Sequence, residues 1–200
     1  MRRRCRHLAL LCAAAALLAG GFYWALTAGP AVEDAELDGR LPRIRPGYTD
    51  VVIPPNIAPL NFCIDEEGTR YHVRIHSTLG EQIEIRTRRP RVRIPLEAWR
   101  RLLNGNRGAQ LCLDVYVKGR GGNWRRFDTV TNTVAPEQID GYMVYRWIGP
   151  GYNLYEALSI RQRNLQNYEE SLVLDNSSLG HACINCHTFL DHAPGKMVIQ

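Results

Sequence analysis

The 200-residue sequence predicts a mainly β chain in three parts: an N-terminal membrane helix, an immunoglobulin- or fibronectin-like β-sandwich with one short helix, and a helical segment carrying a C-x-x-C-H motif. Three observations predict it. Leu8 to Thr27 runs for 20 positions without a charge. Residues 60–148 hold several short stretches in which apolar and polar residues alternate between turn residues. Residues 153–172 carry leucines near helical spacing, shortly before Cys183-Ile184-Asn185-Cys186-His187. The expected divisions are 1–29, a signal anchor or signal peptide; 30–59, a proline-rich extended segment; 60–148, the sandwich; and 149–200, the helix and the motif.

The first part decides the compartment. Arg2, Arg3, Arg4 and Arg6 precede the uncharged run, and Glu33, Asp34 and Glu36 follow it. Twenty residues at about 1.5 Å each span a bilayer core of about 30 Å. Phe22-Tyr23-Trp24 sits at the far end of the run like an interfacial belt. Arginines stay on the cytoplasmic side, so the body is expected in the periplasm of a bacterial envelope, anchored in the inner membrane through 8–27. Ala19-Gly20-Gly21 offers the alternative of cleavage and export. Beyond the run, Pro30, Pro42, Pro46, Pro54, Pro55 and Pro59 exclude helix and central strand, and a stalk or a surface arm is expected.

The sandwich follows from alternation. Asn61–Ile64 is short and apolar. In 71–76, Tyr71, Val73 and Ile75 point to one face, and His72, Arg74 and His76 to the other, which reads as a solvated face. Gln82–Arg86 and Val92-Arg93-Ile94 repeat the pattern. Pro95 opens a short helix with Leu96, Trp99, Leu102 and Leu103 on one side, ended by Asn104-Gly105. Leu111–Val117 and Trp124–Thr131 are strands around the loop Gly119–Gly122, and 142–148 is one more. Gly149-Pro150-Gly151 stops it, and the expected helix occupies 153–172 through Leu154, Leu158, Leu165, Tyr168 and Leu172.

The formal net charge of +5 includes the four N-terminal arginines, and the rest is nearly balanced. No nucleic-acid footprint is present. The runs Arg86-Thr87-Arg88-Arg89 and Arg100-Arg101 read as solvated surface. No nucleophile elbow, paired-carboxylate motif or H-E-x-x-H is found, which argues against a hydrolase. Of the six cysteines, Cys5 and Cys12 belong to the N-terminal segment. Cys63 and Cys112 fall in predicted strands, where a disulfide and two free thiols are both open.

Cys183, Cys186 and His187 have the spacing that covalent haem requires. Two thiols match the two vinyl groups, and the adjacent histidine reaches the iron. Export to the periplasm puts the chain where c-type haem is attached. The expected cofactor is one haem c, with His187 and Met197 as candidate axial metal ligands. Met143 reads as core. The alternatives are a Cys183–Cys186 disulfide or a metal loop completed by His181 or His192, on a β-sandwich scaffold without haem. An envelope redox partner or protein complex is expected, and no nucleic acid.

The stretches PGYTDVVIPPNIAPLNFCI (46–64), YMVYRWIGPGYNLYEALSIRQRNLQNYEE (142–170) and ACINCHTF (182–189) resemble the front portion of bacterial cell-envelope proteins with a TolB-like (PD40-type) β-propeller. The resemblance covers roughly 42–197 and implies that Cys183, Cys186 and His187 are a haem-attachment motif. It also implies a propeller after the motif. The chain has 13 residues after His187, so a fragment is expected.

Overall fold

Two sheets and one helix enclose the main core of the computed structural model, which describes residues 32–149, 158–184, 187–192 and 195–199. The membrane helix expected over 8–27 lies outside those residues. Among the described residues no helix is long and apolar enough to cross a membrane.

The larger sheet is centred on β8 (Gln110–Lys118). On one side β8 pairs antiparallel with β5 (Arg70–His76), and β5 with β6 (Ile83–Thr87). On the other side it pairs with β9 (Trp124–Arg126) and β10 (Val130–Val134), which share one edge. The 30–59 arm closes that edge: β1 (Glu36–Leu37) runs parallel to β9, and β3 (Val52–Ile53) parallel to β10. The arm is therefore woven into the fold, and its prolines are tolerated because these strands are short and at the margin. Buried Asn132 fixes it, accepting from Val51 N at 3.0 Å and donating to Tyr48 O at 3.1 Å. The smaller sheet is β2 (Ile44–Arg45), β4 (Phe62–Ile64) and β7 (Arg91–Val92).

Helix α1 (Leu96–Gly105) starts after Pro95 and buries Trp99, Leu102 and Leu103, as the spacing predicts. They join Phe62, Ile64 and Val92 of the smaller sheet and Val73, Ile75, Leu113 and Val115 of the larger one in one core. Trp99 Nε1 donates to Ile57 O at 3.1 Å. Asn106 ends the helix. Its buried amide accepts from Leu79 N and Thr78 Oγ1 and donates to Leu79 O and Leu102 O, so all of its hydrogen-bonding capacity on those two atoms is used.

The C-terminal part corrects the expected helix. In place of a helix over 153–172 there are β12 (Leu158–Asn164) and β13 (Glu170–Asp175), paired antiparallel, with β11 (Tyr142–Ile148) on the other side of β12. Residues 150–157 lie outside the described residues. The physical reason is in the asparagines. Asn164 Oδ1 accepts from Gln166 N, and Asn167 Oδ1 accepts from Glu169 N, so two local turns replace helix hydrogen bonds. Tyr168 takes a left-handed backbone conformation at φ 70°, which also breaks a helix. This turn docks on the main body: Ala58 N donates to Leu165 O at 2.7 Å, and Arg100 Nη2 to Gln166 O at 3.3 Å.

Candidate functional site

The motif grows from the end of β13. Asp175 caps a single 3-10 turn, Asn176–Leu179, by accepting from Ser177 N at 2.8 Å. Gly180 and His181 follow with φ of 63° and 60°, which reverse the chain into the motif. Residues 183–184 of the motif are therefore irregular, and the expectation of a helical carrier is corrected here as well. Its loop leads into β14 (His187–Phe189), which pairs antiparallel with β15 (Met197–Ile199).

Ile184 seats the loop. It is 2% exposed and forms a second, small core with Leu158 and Ile160 of β12. Val144, Leu174, Met197 and Ile199 pack around it. Beside the buried Ile184, Cys183 is a free, exposed cysteine. Cys186 lies outside the described residues. His187 is half-buried at the start of β14, and its Nδ1 is buried without a hydrogen-bond partner. An imidazole nitrogen in that state costs about 1–3 kcal/mol, a penalty that a bound group or a re-oriented ring removes.

Met197 does not face His187 across a gap. The register pairs His187 with Ile199 and Phe189 with Met197, so both candidate ligands project from one face of the hairpin. A haem iron takes its two axial ligands from opposite sides. Met143, expected in a core, is half-exposed on β11. Cys63 and Cys112 are free thiols on different sheets. Among the described residues no group of three or more His, Cys, Asp or Glu is placed to hold a metal ion.

Exposed apolar side chains flank the motif in sequence: Leu179 and Leu190 each expose half or more of their area. A porphyrin has two apolar faces, and such side chains are suited to cover one. The described residues thus fit the attachment side of a haem, with an accessible thiol, a histidine with an unused nitrogen and an apolar apron. Met197 shares the His187 face and does not stand opposite it while the hairpin stays intact.

A second constellation, missed in the sequence, lies on the outer face of the larger sheet. Register places His72 beside Tyr116, Arg74 beside Asp114 and His76 beside Cys112. That face is covered at His72, where solvent was expected: the ring is fully buried and stacks on Tyr116 at 5.5 Å. Burial lowers its pKa, helped by Arg86 and Arg74, so the ring is neutral at pH 7. His76 Nε2 lies 3.1 Å from Asp114 Oδ2, and Thr129 Oγ1 donates to Asp114 Oδ1 at 2.6 Å. Burial pushes the Asp114 carboxyl up; hydrogen bonds from Thr129 and His76 and the charge of Arg126 outweigh it and hold it low. Cys112 is no activated nucleophile, because burial and Asp114 raise its pKa. The signal for this face was the alternation 72/74/76 against 112/114/116, which becomes informative once the two strands are paired.

No protein-family model, curated protein or solved structure matches the chain.

Proposed function

We propose that the chain is a mono-haem c-type module of the bacterial envelope, anchored in the inner membrane through 8–27, with its body in the periplasm. One observation carries the reading: within C-x-x-C-H, Ile184 is buried against β12 while Cys183 is exposed. The thiols of Cys183 and Cys186 would hold the haem, and His187 would be its proximal ligand. Bound haem supplies one-electron chemistry, which suits transfer to an envelope partner or redox sensing. Around it the chain's own residues do three things. Ile184 fixes the loop, β14 fixes the histidine, and Leu179 and Leu190, which flank the motif in sequence, offer apolar cover. Met197 shares the His187 face of the hairpin, so in this reading the second ligand would come from Met197 after a rearrangement of β15 or from outside this chain.

The two sheets around one core read as an immunoglobulin-like sandwich, serving as the scaffold on which the C-terminal unit docks. In this reading the resemblance to the front of TolB-like envelope proteins describes the same order of parts. The test is the intact mass of the denatured chain, produced with haem-maturation machinery. A gain of one haem supports the proposal. An unchanged mass, or the loss of two hydrogens between Cys183 and Cys186, replaces it with a haem-free scaffold carrying a metal or disulfide loop.

A further inference from the structure

A pocket of about 520 Å³ opens on the outer face of the larger sheet, away from the motif. Its walls are Arg70, Arg86, Arg88 and Lys118, with Trp124 on one side and buried His72 among the lining residues. The strands dictate the grouping. Arg70 pairs with Lys118, Lys118 with Trp124, and His72 with Arg86. Residues paired across strands share a face, so these side chains converge although they are up to 54 positions apart in sequence.

The charges there are unbalanced. Arg86 is engaged by Glu84 at 3.2 Å, but among the described residues Arg70, Arg88 and Lys118 have no carboxylate partner within 4.0 Å. The one acid in the lining, Glu33, is taken by Arg74 at 2.7 Å. Lys118 Nζ stands 5.8 Å over the Trp124 ring, and the mostly buried indole lines the pocket beside the cations. His72 adds a second, independent observation. It is fully buried, and neither ring nitrogen has a hydrogen-bond partner; the closest carboxylate oxygen, on Glu84, is 3.6 Å from Nε2. A neutral imidazole between arginines can donate one N–H without adding to their repulsion.

We infer that this pocket binds a small phosphate-bearing ligand, its anionic group held by Arg70, Arg88 and Lys118 and its flat or apolar part against Trp124. The volume falls in the range of small-molecule sites and exceeds what a lone phosphate fills. Unpaired arginines favour phosphate oxygens because the guanidinium fork can bond two of them at once.

The test is calorimetric titration of the full chain in mild detergent with inorganic pyrophosphate, repeated with Arg70→Gln plus Lys118→Gln, with Arg88→Gln alone, and with Arg91→Gln. Arg91 belongs to the same basic stretch but lines a different pocket. The inference expects saturable binding, weakened about tenfold or more in the double variant and clearly in Arg88→Gln, and unchanged in Arg91→Gln. Displacement by a short-chain phosphatidylglycerol assigns the phosphate to a lipid headgroup, and its failure assigns it to a soluble molecule. Absence of pyrophosphate binding, or equal weakening in Arg91→Gln, overturns the site in favour of general surface charge. Neither outcome depends on haem, so this result stands or falls apart from the proposed function.

Discussion

Ile184→Ala is the sharpest probe of how the motif is held. Among the described residues the small core has three buried members, Leu158, Ile160 and Ile184. At about 1.5–3 kcal/mol for each buried side chain, its gross apolar gain is about 5–9 kcal/mol. The substitution deletes three carbons, about 2.5 kcal/mol at 0.8 kcal/mol each, before any cavity cost. That is about a third to a half of the apolar gain of this small core. The partial exposure of Val144, Leu174, Met197 and Ile199 lets the site relax, which keeps the value near this figure. By the relation of 1.4 kcal/mol to tenfold, amide protection in β12, β13 and β14 should fall about 50- to 100-fold. Native-state hydrogen exchange reads it directly. Amides of β5 and β8 belong to the other core and serve as the control, with no change. Protection in β12 reduced less than about threefold would refute the assignment of Ile184 as the anchor.

The remaining predictions concern the body. Glu66 is buried and held by both Arg40 guanidinium nitrogens at 2.8 and 2.9 Å, by Arg43 N at 2.9 Å and by the Arg43 side chain. Chiefly through the Arg40 hydrogen bonds, its pKa drops from 4.5 to about 2. The folded value is depressed, so the stabilisation is complete above about pH 4.5 and is lost as pH falls toward 2. Glu66→Gln should cost about 2–3 kcal/mol at pH 7 in urea melts, and the gap to wild type should close over that acid window. Asn106→Ala removes four hydrogen bonds and orphans Leu102 O, and should cost about 3 kcal/mol, read by Trp99 fluorescence as a urea midpoint lower by about 1–1.5 M.

The strands of the main body were legible because alternation over five or more residues has one reading. Tyr71, Val73 and Ile75 lie in the core as the pattern requires, and α1 follows from Pro95 and the 99/102/103 spacing. What alternation does not carry is whether the other face is covered. His72 was expected in solvent and is buried, because Tyr116 of β8 stacks on it. The two-residue strands of the arm are too short for any period and exist through backbone bonds to β9 and β10. The 153–172 stretch misled because Leu158, Leu165 and Leu172 recur every seven residues, a helical period, while Leu158-Ser159-Ile160-Arg161 also alternates. Local side-chain bonds of Asn164 and Asn167 decided between them. At the motif, the residue types were legible, but the anchoring role of Ile184 was not, since it depends on β12 being a strand. The phosphate pocket was invisible for the same reason: Arg70, Arg88, Lys118 and Trp124 meet only through register.

The most direct measurement is a pyridine haemochrome spectrum of the denatured chain, produced with haem-maturation machinery and compared with Cys183→Ala plus Cys186→Ala. The account predicts a c-type band that stays with the denatured chain and is absent from the double variant. A chain without the band, or a band that survives loss of both cysteines, would contradict it.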